Sequence, residues 1–178
     1  MAQETPNVMM PQSFELMRRR ISELEERLAT TRMKKGEFGQ DGDPWDDPVL
    51  YELEREEKTL MRSISEARDT FNGTEVMRTP EHTDFVVLGH KIKVKLPDDK
   101  YAPKEGIVVT LVTQNDAILL ADKYGFDRDI NIVVSTATAL GGAILGAKQG
   151  ETVKYEAGGE SLKAQIVSIE VSPLFQEA

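Results

Sequence analysis

The stretch 14–28, FELMRRRISELEERL, decides how this chain is read. Phe14, Met17, Ile21, Leu24 and Leu28 recur in it at intervals of 3, 4, 3 and 4. That is the a/d spacing of a heptad seam. Arg18, Arg19, Arg20, Glu23, Glu25, Glu26 and Arg27 lie between them. The stretch 48–72, PVLYELEREEKTLMRSISEARDTFN, repeats the pattern through Leu50, Leu53, Glu57, Leu60, Ile64, Ala67 and Phe71, and Glu57 breaks it. The spacing predicts helices over 12–35 and 48–72, each roughly 36 Å long at 1.5 Å per residue. Asp47 suits an N-cap, Pro48 a first helical residue and Asn72-Gly73 a stop. The connection 36–47 contains Gly36, Gly39, Gly42 and Pro44. A continuous helix cannot cross it, so the two stripes face each other in an antiparallel hairpin rather than in an intermolecular coiled coil.

Outward from the hairpin the pattern changes. Residues 1–10 carry no periodicity and read as a mobile tail, 11–73 as the hairpin, and 74–83 as a linker. From 84 to 172 the runs are of strand type: 85–88, Ile92 to Leu96, Ile107 to Val112, Ile130 to Val134, Thr152 to Tyr155 and Leu162 to Val171. Gly158-Gly159 reads as a hairpin turn. Thr136 to Leu145 is the one helical candidate, with Ser135, Thr136 and Thr138 available as caps. Residues 173–178 read as a second tail. The expected class is therefore α+β: a helical hairpin, then a small antiparallel β domain with one short helix.

Charge is local. The window 36–57 holds Glu37, Asp41, Asp43, Asp46, Asp47, Glu52, Glu54, Glu56 and Glu57 against Arg55, which is −8 of the chain's −9. Helix 1 has Arg18, Arg19, Arg20, Arg27, Arg32, Lys34 and Lys35 against four acids. Acids ahead of helix 2 complement its dipole, which accounts for Asp46, Asp47 and Glu52. It does not account for Asp41, Asp43 or the single Trp, Trp45. A connection of this length is commonly functional. Clustered carboxylates suit a hard cation. A self-contained calcium loop is disfavoured by Trp45 and by Asp46, which stands where the turn needs Gly. A Mg²⁺ shared with another macromolecule needs only one or two of these acids, so no cofactor is expected to be held by this chain alone.

Composition removes other classes. With 178 residues, 22 Lys+Arg and 31 Asp+Glu, the chain lacks the basic footprint that wraps a duplex. It has no Cys, which excludes disulfide, Cys-metal and Cys-nucleophile chemistry. Two His, His82 and His90, leave little for a His metal site. No apolar run approaches a membrane span and no secretory pattern opens the chain, so a soluble cytoplasmic protein without a membrane partner is expected. Gly141-Gly142 and Gly146 lack dinucleotide-loop spacing and read as close helix packing on a sheet.

Across residues 12–171 the chain resembles the Gre family of bacterial transcript-cleavage factors, GreA and GreB. Two stretches carry the resemblance. Thr138-Ala-Leu-Gly-Gly-Ala-Ile-Leu-Gly146, followed by Ala-Lys-Gln-Gly-Glu-Thr-Val-Lys-Tyr-Glu-Ala-Gly-Gly159, is similar to the family's Pro-Leu-Gly-x-Ala-Leu-Leu-Gly, acidic turn, strand and Gly-Gly hairpin. Gly42-Asp43-Pro44-Trp45-Asp46 is similar to the family's Gly-Asp-Leu-x-Glu. The resemblance implies an FKBP-like second domain that docks on bacterial RNA polymerase, and a hairpin that enters the polymerase's secondary channel. Asp43 and Asp46 would help hold a second Mg²⁺ for RNA cleavage by the polymerase's own active site, with Asp41 and Asp47 as further ligands and Trp45 as a tip contact. Arg32, Lys34 and Lys35 would steer the nascent RNA 3′ end. The chain would not be an enzyme alone. Asp46 in place of Glu, and extra Asp around an aromatic, also resemble the family's non-cleaving antagonists, which makes an inhibitor the alternative. An FKBP-like isomerase or chaperone is an alternative of another class, as is a helix-pairing scaffold.

Overall fold

The computed structural model describes residues 7–38, 48–100, 102–124 and 132–175, the side chains of 121–124 excepted. The chain divides into two compact units, residues 14–74 and the remainder.

The first unit is the helical hairpin. Helix α1 runs Pro11–Phe38 and helix α2 runs Pro48–Asn72. The boundaries expected for α2 are those observed. α1 begins one residue earlier than expected and continues three residues past Lys35, because Gly36 costs only about 1 kcal/mol in a helix interior. Phe14 and Phe71 stack with centroids 4.3 Å apart, so the start of α1 lies beside the end of α2. Met17, Leu50, Leu60 and Ile64 are buried along the seam. Their periodicity is thus spent within the pair, as the antiparallel reading requires.

The second unit is built on a sheet of order β5-β4-β3-β7-β6 among the described residues. Its strands are β3 (His90–Lys95), β4 (Ile107–Val112), β5 (Ile132–Ser135), β6 (Thr152–Ala157) and β7 (Glu160–Val171). Neighbours are antiparallel except β4 and β5, which are parallel. A parallel pair needs a crossover, and here it carries helix α3 (Gln114–Tyr124). Helix α4 (Ala139–Ile144) follows β5. Val86, Ile92, Val94, Val109, Leu111, Ile144, Ala164 and Ile166 form the core. Val109 to Val112 are buried consecutively, as befits a strand covered on both faces. At the β6–β7 turn Gly158 and Gly159 have φ of 62° and 82°, the two positive values that a tight two-residue hairpin demands.

Three expectations are corrected. The unit has two helices among its described residues rather than one. α3 is announced by a capping box: the Asp116 N–H donates to Thr113 Oγ1 at 3.1 Å and the Thr113 N–H to Asp116 Oδ2 at 3.3 Å. Residues 85–88 are not a strand. Phe85 forms one bridge to Lys148, and Val86 is held by bonds to Gly146 and Ala147 before the chain turns at Gly89. Nor are residues 8–10 a tail. Val8–Met9 (β1) pairs in parallel with Glu75–Val76 (β2), inside the expected linker. Met9 and Met10 are fully buried. The Met10 N–H donates to Asp116 Oδ1 at 2.9 Å. One buried carboxylate therefore caps α3 and fastens the N-terminal segment.

Asp116→Ala removes the cap and orphans the Met10 and Thr113 amides. It should cost about 3 kcal/mol of unfolding free energy in urea. A loss below about 0.5 kcal/mol would refute the double role.

His90 opens β3 fully buried. Its Nδ1 accepts from the Val87 N–H at 3.1 Å, which places the ring proton on Nε2, buried without a hydrogen-bond partner among the described residues. Burial pushes its pKa down, outweighing the opposite effect of the His82 backbone. The unfolded chain then takes up the proton first. Stability is fully present above the ordinary value of 6.5 and is lost as pH falls through the lowered one. The urea midpoint should fall from about pH 7 to about pH 5, and His90→Gln should flatten that slope.

Candidate functional site

The far half of the hairpin, toward the connection, collects the charge. α1 faces α2 there with Arg27, Arg32 and Lys35. Arg32 Nε donates to Glu57 Oε1 at 2.8 Å. Lys35 Nζ lies 3.2 Å from Glu57 Oε2 and 3.3 Å from Glu54 Oε1. Arg27 pairs with Glu56 at 3.3 Å. Further from the connection Arg68 pairs with Glu25. The Arg32 guanidinium also reaches Met61 Sδ at 3.6 Å.

Glu57, the residue that breaks the α2 seam, is the centre of this set. Its side chain is only 18% exposed. Hydrogen bonds from Arg32, then from Lys35, hold its carboxyl below the usual range, outweighing the opposite push of desolvation. Lys35 is shifted up, first by Glu57 and then by Glu54. The two heptad steps after Leu28 lead to Thr31, which is buried, and to Lys35. The sequence therefore offered a signal for the partnership: a charged seam position on each helix, opposite in sign.

These pairs redistribute the acidity. Of the nine acids in the 36–57 window, Glu54, Glu56 and Glu57 are matched by α1 cations. Glu37 and Glu52 are exposed and make no ion pair among the described residues. Asp41, Asp43, Trp45, Asp46 and Asp47 lie outside the described residues, including Asp47 as the expected N-cap of α2. Of the three cations expected to steer RNA, Arg32 and Lys35 are engaged by Glu57 and Glu54, while Lys34 is exposed and has no ion pair among the described residues. No group of three or more His, Asp or Glu among the described residues could hold a metal ion. No helix there is long and apolar enough to cross a membrane.

In the second unit the stretch Thr138 to Gly146 has a packing role. Thr138 is the N-cap of α4, its Oγ1 accepting from the Gly141 N–H at 3.1 Å. A Cβ at Gly141 would collide with the Ser135 carbonyl. Glycine there lets α4 lie against the end of β5, and no phosphate cradle is needed to explain it. The Lys148 N–H donates to Glu151 Oε2 at 2.9 Å, closing the turn before β6.

No family model and no curated protein matches the sequence. Solved structures similar to the chain include GreA factor homolog 1 of Thermus thermophilus, at 18% identity over 93% of this chain and 99% of that one, with a TM-score of 0.40. The Thermus aquaticus protein of the same name is similar at 17% identity over 92% and 97%, TM-score 0.39. The prokaryotic transcription elongation factor GreA/GreB of Nitrosomonas europaea is similar at 22% identity over 67% and 91%, TM-score 0.32.

Because the folded pKa of Glu57 is lowered, its stabilisation is present above the ordinary value of 4.5 and is lost as pH falls through the lowered value. Glu57→Gln should therefore melt at a lower temperature than the wild type near neutral pH. The two curves should converge in strong acid. Equal melting at neutral pH by circular dichroism would remove Glu57 from the account.

Proposed function

We propose that this chain is a Gre-type regulator of transcript elongation. It binds bacterial RNA polymerase with its second unit and presents the connection of its hairpin, through the secondary channel, to the catalytic centre. The observation that carries this reading is where acid is left over. α1 takes Glu54, Glu56 and Glu57 into ion pairs. Of the window's other acids, Glu37 and Glu52 are exposed, and the four Asp of the connection lie outside the described residues. A helix of 28 residues spans roughly 42 Å, a reach suited to a deep channel. The Gre-like stretches 42–46 and 138–159 support the same assignment.

In this reading the chain modulates the polymerase's catalysis and is not itself an enzyme. Asp43 and Asp46 contribute carboxylate oxygens toward a Mg²⁺ shared with the polymerase, and Asp41 and Asp47 flank them. The chemistry such an ion would supply, when bound, is activation of water at neutral pH, which hydrolysis of an RNA phosphodiester needs. With Arg32 and Lys35 committed to glutamates, steering of the RNA 3′ end falls first to Lys34. The setting is cytoplasmic.

Inhibition without cleavage is the second reading. Asp46 is one methylene shorter than the family's Glu, and Trp45 with Asp41 and Asp47 adds bulk and surplus charge beside it. An isomerase or chaperone reading needs an aromatic-lined pocket in the second unit. Of the aromatic side chains described there, Phe85 is half-exposed, Phe175 lies against Gly89 and Tyr155 belongs to the core, which gives that reading no support. The scaffold reading needs a free seam, and the seam is closed within the hairpin.

The decisive measurement adds the protein, with Mg²⁺, to stalled and backtracked polymerase. Shortened transcripts that resume extension support cleavage. Asp43→Ala and Asp46→Ala should then abolish shortening while binding to core polymerase stays within about twofold. Slowed nucleotide addition without shortening, relieved by the same substitutions, selects inhibition. Failure to bind core polymerase at near-physiological salt removes both.

A further inference from the structure

Glu57 stands between Leu53 and Leu60 where the heptad spacing asks for an apolar side chain. α1 answers with Arg32 and with Lys35, its own charged seam residue. Side chains on a helix lean toward that helix's N-terminus. In an antiparallel pair Lys35 therefore leans away from the connection and Glu57 leans toward it, and the two meet between the helices. Lys35 Nζ bridges Glu54 and Glu57, and Arg32 adds the 2.8 Å bond to the other Glu57 oxygen.

Stability alone does not explain charge at this place. An apolar pair of similar volume commonly stabilises as much or more. What apolar seams lack is direction: leucines tolerate neighbouring registers, whereas hydrogen-bonded charges in a seam accept one. The Phe14–Phe71 stack sets register at the other end of the hairpin. From Phe14 to Lys35 is roughly 30 Å of helix, enough for small errors to grow. We propose that Glu57, with Arg32, Lys35 and Glu54, forms a polar clasp fixing the axial register and spacing of the far half of the hairpin. Glu57 and Lys35 are then positioning residues for the acidic connection between Phe38 and Pro48. The positioning half of this proposal rests on the polymerase reading above; the clasp itself does not.

The chain has no cysteine, so paired spin labels can be attached without background. Met33→Cys with Val49→Cys reports the far half, because both residues are exposed and lie outside the clasp. Ser22→Cys with Ser65→Cys, also exposed, reports the other end. Glu57→Leu completes the apolar seam. It should keep or raise the melting temperature, yet widen the far-half distance distribution about twofold while the other end stays unchanged. About 1 M NaCl should widen the wild-type distribution and leave the Leu variant as it was, since charges are then screened beyond about 3 Å. Glu57→Gln, which keeps an acceptor, should fall between the two in the width of its far-half distribution, and it carries the distance and salt readouts should Glu57→Leu not fold. With polymerase, Glu57→Leu should retain affinity and lose about tenfold of the effect on backtracked transcripts. Unchanged far-half distances in Glu57→Leu and in high salt overturn the clasp. Widened distances with an undiminished effect overturn the positioning role. A wild-type protein without effect on polymerase overturns the functional reading, and with it the positioning half, while the distances still decide the clasp.

Discussion

A carboxylate in a leucine's place governs the far half of the hairpin. Glu57 is only partly exposed in the seam, where a carboxylate without partners is costly, and α1 brings cations to it. It does so with Arg32 and Lys35 at 2.8 and 3.2 Å. The same contacts decide which acids near the connection are spent and which remain. Glu54 and Glu57 are spent on Lys35 and Arg32, and Glu56 on Arg27. The seam and the charge distribution are thus one feature, set by where α1 places its cations.

The fold was largely legible because its signals are periodic or local. The 3-4 spacing and the Pro48 and Asn72-Gly73 boundaries delimit α2, and the run from Ile107 to Val112 is β4 as observed. Gly158-Gly159 gives the hairpin turn. α3 was missed although Thr113 and Asp116 carry its capping box, because the polar entry Gln114-Asn115 looks like a loop following a strand. β1 was missed for a different reason. Two residues have no period, and what orders them is a distant carboxylate and a partner strand far along the chain.

The candidate site was legible as composition and not as pairing. Counting along the chain finds the −8 window, but it cannot say which acids are matched, because the partners sit 19 to 29 residues away on the other helix. Arg32 and Lys35 looked available for RNA for the same reason. A rule that extended the α1 seam past Leu28 to Lys35 would have set a cation against the charged break at Glu57.

The bond from the Met10 N–H to Asp116 links residues 106 apart in sequence. Synthesis is vectorial, and it makes these groups available at different times. The seam of α1 and α2 can close once residue 72 has left the ribosome, since all its partners are then present. The segment before it can pair with Glu75–Val76 soon afterwards, yet the Met10 N–H has no carboxylate to bind until residue 116 follows. The bond that fastens Met10 is therefore completed after the hairpin that follows it in the chain.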